Sequence, residues 1–214
     1  MGTRKIMKVA IFGCSWTHGV GSIENHLSWP QLLDTEYTIE NYAVAGSSVL
    51  FQIHMLEWVK KNNPADKYIF QITRPERITY WNDNIDWKKY LKGNRVKQFD
   101  REVYNDVQIA TIQSTTQSTD MTTKQETINL AKAYYKVMND EAFSLEYKLA
   151  YEYIKQNVDF CYLQTEGTER GLELPCIEDI LGREKCKQWW QHGTHFGREG
   201  LQWVADWVKE NAKL

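Results

Sequence analysis

Residues 8–19, KVAIFGCSWTHG, constrain what this chain can fold into more than any other stretch. Val9, Ala10, Ile11 and Phe12 form a short unbroken apolar run that meets Gly13 at once, with Ser15 and Gly19 close behind. Such a run, too short for a helix and bounded by glycine, reads as a strand buried on both faces. Strands of that kind belong to parallel sheets, and ligands of open α/β sheets gather beyond the strands' carboxyl ends. Ser15 stands at such an end. Near the other terminus, residues 192–200, HGTHFGREG, lead into an amphipathic segment. In a doubly wound sheet the loop after the first strand and the loop before the last helix share one edge, so Ser15 and His195 are expected to meet there.

The alternation continues along the chain. Residues 38–44, TIENYAV, read as a second strand that ends in Ala45, Gly46, Ser47 and Ser48. A serine placed before Val49, Ile53, Leu56 and Val59 predicts a capped helix to about Asn62, where Asn63-Pro64 stops it. Residues 67–73, KYIFQIT, read as a third strand, with Arg74, Pro75, Glu76 and Arg77 in the loop beyond. Strand, helix, strand, helix, strand implies parallel pairing through right-handed crossovers. Further expected elements are a short helix over 28–33 with Pro30 in its first turn, a helical segment over 124–157 with a break at Asn139-Asp140, a strand over 158–165, a short helix over 177–181 and a terminal helix over 198–213. Between 78 and 123 the pattern dissolves into polar, aromatic and Ser/Thr/Gln-rich sequence, which reads as an insertion over the active edge. The expected architecture is a three-layer α/β/α sandwich, a single domain over residues 1–214, with a central parallel sheet of about four or five strands.

A serine hydroxyl is a poor nucleophile unless a histidine takes its proton, and a third group usually holds that histidine. Ser15 and His195 supply the first two members. The plain structural alternatives are a helix N-cap for Ser15 and a backbone-satisfied loop histidine for His195. Negative charge developing on a carbonyl oxygen needs donors fixed in advance; the amides of Ser15 and Gly46 and a polar group after the third strand, Thr73 or Arg74, would converge on one point. Gly46 serves equally as an ordinary turn residue. Trp16, Trp189 and Trp190 flank the expected site in sequence, and a flat ring such as Trp16 suits stacking on a sugar or another cyclic substrate.

These residues together carry a family resemblance. Phe12-Gly13-Cys14-Ser15-Trp16-Thr17-His18-Gly19 resembles the first block of the SGNH or GDSL hydrolases, Asn41-Tyr42-Ala43-Val44-Ala45-Gly46 the second, and His192-Gly193-Thr194-His195-Phe196-Gly197-Arg198-Glu199-Gly200 the last. The resemblance spans the chain from end to end. It implies a flavodoxin-like SGNH fold and hydrolysis of a small-molecule or glycan ester, with Ser15 as nucleophile, His195 as base, Gly46 as an oxyanion donor and no cofactor. Three positions depart from the family pattern. Cys14 stands in place of an aspartate, His192 in place of the aspartate of Asp-x-x-His, and Ile72-Thr73-Arg74-Pro75 in place of Gly-x-Asn-Asp. Neutralising the orienting acid of a serine protease triad lowers turnover about 10⁴-fold. A dyad therefore needs another partner, which His192 provides by helping to position His195; Glu173 and Asp179 are acids nearby in sequence, with nothing to place them. An arginine at the third block would favour an anionic or strongly polarised substrate group.

Other classes of function are weaker fits. A net charge of −2 supplies no basic footprint for nucleic acid. The four cysteines, Cys14, Cys161, Cys176 and Cys186, are unevenly spaced, which argues against a disulfide framework. No apolar run reaches the roughly 18 to 20 residues that cross a bilayer, and MGTRKIMK enters the first strand without a leader's apolar region, so a cytoplasmic protein without membrane partners is expected. His192-x-x-His195 with Cys14 and His18 offers zinc donors, yet lacks the helical His-x-x-x-His face and a second cluster, so no metal is expected in the main reading and a metal site on this loop is a minor alternative. The glycines of 13–21 lack a Walker lysine. A fold retained only for binding is the alternative that the altered acid and asparagine positions favour. Trp203 and Trp207, four apart on the terminal helix, would pack on the sheet or, if exposed, join two copies of the chain as a homo-oligomer.

Overall fold

The computed structural model describes residues 6–19, 27–33, 37–73, 77–81, 109–114, 117–118, 129, 133–134, 140–164, 173–192 and 195–214, the side chains of 78–81, 109–118, 140–144 and 192 excepted. Strand β1 (Met7–Phe12) lies between β2 (Tyr37–Asn41) and β3 (Lys67–Ile72), and β7 (Phe160–Leu163) pairs with the far side of β3. All three pairings are parallel; Ile11 is in register with Asn41 on one side and Ile69 on the other. The chain leaves β1 toward β2 and then returns past β1 to form β3. The connections therefore diverge between β1 and β3, and the carboxyl end of β1 lies at that switch point.

Alternation along the strands divides the core in two. Ala10, Phe12, Phe70 and Ile72 face helices α2 (Val49–Asn62) and α3 (Asp140–Asn157), through Phe51, Met55, Val59, Ala150 and Ile154. Val9, Ile11 and Ile69 face the opposite side, against Trp29, Ile177 and the terminal helix α6 (Arg198–Asn211), through Leu201, Val204 and Val208. Helices thus flank a four-stranded parallel sheet. Each fully buried Ile, Leu or Phe contributes about 1.5–3 kcal/mol relative to exposure, so both faces of β1 are anchored.

Local chemistry explains the boundaries. Ser48 caps α2, its Oγ accepting from the Phe51 amide at 3.1 Å, as the sequence predicts. The second strand stops at Asn41, three residues earlier than expected, because the Asn41 Oδ1 accepts from the Ala43 amide at 3.0 Å and turns the chain. The segment around Pro30 is a 3₁₀ helix (Trp29–Leu32), with the Gln31 side chain accepting from the Ser28 amide at 2.8 Å. Helix α4 (Ile177–Leu181) is where the sequence puts it, but α5 (Arg183–Trp189) and a two-stranded hairpin, β8 (Trp190–His192) with β9 (His195–Phe196), are additional.

Within the stretch read as an insertion, β4 (Ile78–Trp81), β5 (Ile109–Ser114) and β6 (Gln117–Ser118) form a separate antiparallel sheet. Its β-branched and aromatic residues, ITYW and IATIQS, suit a pleated surface. Residues 82–108, and most of the helical stretch expected before Asp140, lie outside the described residues. Trp203 and Trp207 stack on each other at 5.9 Å, and Trp207 meets Phe160 and Tyr162 of β7 edge-on, so the pair is half-buried against the sheet. Among the described residues no helix is long and apolar enough to cross a membrane.

Candidate functional site

The turn after β1 is built on buried polar contacts. Gly13 is required by space: a Cβ there would lie 2.5 Å from the Thr17 Cβ and 2.8 Å from the Gln71 Oε1. Helix α1 (Ser15–His18) is a single turn, with the amides of Thr17 and His18 donating to the Cys14 carbonyl at 3.1 and 2.9 Å and Gly19 ending it at φ +93°. Cys14, not Ser15, holds the N-cap position, so the Ser15 side chain is not used to cap. Below the turn, the Gln71 Oε1 accepts from the Thr17 hydroxyl at 2.6 Å and from the Cys14 amide at 3.3 Å. Trp29 Nε1 donates to the Thr17 oxygen at 3.3 Å, and Asn41 Nδ2 to the Thr17 carbonyl at 2.9 Å. Thr17, Gln71 and Asn41 are all buried, so no competing water reaches these bonds.

His195 arrives from the other end of the chain. On β9 neighbouring side chains point to opposite sides, and Phe196 goes inward, 2% exposed, against Trp16 and Trp189 with ring centroids 5.0 and 5.8 Å apart. Gly197 and Gly200 let the hairpin close onto α6, since a Cβ at Gly200 would lie 2.9 Å from the Phe196 ring. With Phe196 seated, the His195 Nε2 lies 2.9 Å from the Ser15 Oγ, both groups partly buried. With its proton on Nδ1, the imidazole accepts the serine's hydrogen at Nε2, the relation a general base requires. The Trp16 ring lies 5.5 Å from the imidazole at a 35° tilt, so it is engaged with His195 and Phe196 rather than open as a flat platform.

The remaining expected residues are placed as follows. Gly46 has φ +78° at the third position of a type II turn closed by the Ser47 amide on the Val44 carbonyl at 3.1 Å, a conformation that favours glycine. The turn abuts the loop that carries Ser15: Val44 N and the Ser47 hydroxyl both donate to the Gly13 carbonyl at 3.1 Å. Thr73 is buried; its carbonyl accepts from the Tyr147 hydroxyl at 2.7 Å and its Oγ1 accepts from Arg77 at 2.6 Å. His192 pairs in register with His195 through the hairpin backbone, while its side chain, like Arg74, lies outside the described residues. Glu173 and Asp179 are both exposed.

Sequence reasoning singled out Arg74 and passed over Arg77. The Arg77 Nη1 donates both to the Ser47 carbonyl at 2.8 Å and to the Thr73 hydroxyl at 2.6 Å. Its charge also reaches Cys14. Burial works to raise that thiol, but the Arg77 guanidinium, the Trp16 amide and the side chains of Gln71 and Thr73 together bring it below its ordinary value. The only sequence signal was a second arginine in the run Arg74-Pro75-Glu76-Arg77, with nothing to say which one turns inward. Among the described residues no group of three or more His, Cys, Asp or Glu side chains gathers in a way that could hold a metal ion. No protein-family model matches the chain, and no curated protein matches it.

Proposed function

We propose that the chain is a serine-dependent ester hydrolase working through a Ser15–His195 dyad, on a single three-layer α/β/α domain of the SGNH type with its insertion at 78–123. The observation that supports this most directly is the 2.9 Å approach of the His195 Nε2 to the Ser15 Oγ across 180 residues of chain. In the reaction Ser15 attacks the carbonyl carbon of a carbohydrate or small carboxylic ester while His195 takes its proton. The imidazolium then gives that proton to the departing alcohol, and water repeats the cycle on the acyl-enzyme. The amides of Ser15 and Gly46 face the oxyanion, and Trp16 holds the imidazole plane by ring contact while His192 steadies the hairpin that presents it. Thr73 acts from behind, because its oxygen is engaged by Arg77.

A fluorophosphonate probe together with a short-chain nitrophenyl ester tests this. Wild type should be labelled covalently at Ser15 and hydrolyse the ester, and Ser15→Ala should lose labelling and roughly 10⁴-fold or more of turnover. Absence of labelling in folded wild type at neutral pH, or equal labelling of Ser15→Ala, would reject the hydrolase and favour a fold kept for binding.

A further inference from the structure

We propose that Arg77 is a positioning residue for the oxyanion site, tying the Gly46 turn to the end of β3 and holding positive charge beside every loop that would face the substrate's carbonyl oxygen. The inference rests on the hydrolase reading above. Two hydrogen bonds locate the guanidinium, and its charge is felt at a third point. It donates to the carbonyl of Ser47, the residue after Gly46; it donates to the hydroxyl of Thr73, at the end of β3; and its charge acts on Cys14, the residue before Ser15. Each proposed oxyanion donor thus lies within one residue of a group that Arg77 holds or polarises.

Two features make this more than a structural tie. No carboxylate pairs with Arg77 among the described residues, and its Nε is buried there without an acceptor. Among the described residues the guanidinium's charge is met by two neutral oxygens. In a partly buried site such a charge acts at low effective dielectric, where it favours the tetrahedral intermediate over the neutral ester. Both bonds leave the single Nη1, so a lysine could keep the charge and, where its shorter, more strongly hydrated ammonium reaches, part of the tie between the two loops.

The experiment compares Arg77→Met, Arg77→Lys and Arg77→Ala in the full chain with wild type and Ser15→Ala. Arg77→Met should lower kcat on the nitrophenyl ester by about 10²-fold, the scale for losing one preorganised oxyanion contact, with little change in KM. Arg77→Lys should retain an intermediate rate, and millimolar guanidinium should restore part of the Arg77→Ala rate. The ultraviolet absorbance of the Cys14 thiolate should develop at higher pH in Arg77→Met than in wild type. A merely structural role predicts instead that activity follows the folded fraction, measured by circular dichroism, and that guanidinium lowers both. Active wild type with Arg77→Met near the wild-type kcat, or with a loss that unfolding accounts for, overturns the inference alone. Wild type silent toward both ester and fluorophosphonate overturns the hydrolase and this inference with it.

Discussion

The bond between Thr17 and Gln71 is the tightest tie under the Ser15 turn, and a double-substitution cycle measures it. Gln71→Met keeps side-chain length but removes the acceptor of the Thr17 hydroxyl at 2.6 Å and of the Cys14 amide at 3.3 Å. Thr17 has no exposed surface, so its hydroxyl is stranded rather than hydrated. A stranded buried donor costs about 1–3 kcal/mol, and the long Cys14 contact adds less, for a total of roughly 2–4 kcal/mol. Thr17→Val leaves the Gln71 oxygen with the long Cys14 contact and Trp29 Nε1 without its acceptor, again about 1–3 kcal/mol. In the double variant the two stranded partners are gone together. It should therefore be more stable than the sum of the single losses predicts by about 1–2 kcal/mol. Urea titrations of the four proteins, with a common m-value, give the coupling directly. Additivity within about 0.5 kcal/mol would refute the idea that these two groups satisfy each other.

Trp16→Leu removes a ring contact on His195 and one on Phe196, each of the class worth about 0.5–1.5 kcal/mol. Turnover of the nitrophenyl ester should fall about 3- to 10-fold with Trp16→Phe in between, and an unchanged kcat would remove Trp16 from the account of how His195 is held. Burial pushes the Cys161 thiol on β7 up to about 11 from 9.0, with Lys155 pulling weakly the other way. Above pH 9 the unfolded chain has released a proton that the folded chain keeps, so stability falls as pH rises from about 9 to 11, by at most about 2–3 kcal/mol. Chemical denaturation across that range should show the decline in wild type and a shallower one in Cys161→Ala; parallel curves would rule Cys161 out as its source.

Elements that bury a regular pattern were legible from residues alone. The apolar run 9–12, the Ser48 cap with its helix, and the stripe Leu201, Val204, Val208 each encode their place locally, and the glycine-bounded end of β1 pointed to the sheet edge where Ser15 lies. What escaped was held by partners distant in sequence. The β8–β9 hairpin is three residues against two, too short for alternation to register, and Phe196 packing against Trp16 and Trp189 helps to fix it. Gln71 sits at an alternating position of β3 like any polar strand residue; nothing along the chain announces that it bonds Thr17, 54 positions away. Arg77 was indistinguishable from Arg74 until Ser47 and Thr73 were brought beside it.

The placement of β1 has a consequence for synthesis. One face of this strand, Val9 and Ile11, is covered by α6, which is made long after it. At typical translation rates the stretch from Met7 to Arg198 takes about 10–40 s to make, and until then the strand has only half its shelter. Over that interval the nascent strand carries an uncovered apolar face, and loss of α6 would show first as aggregation.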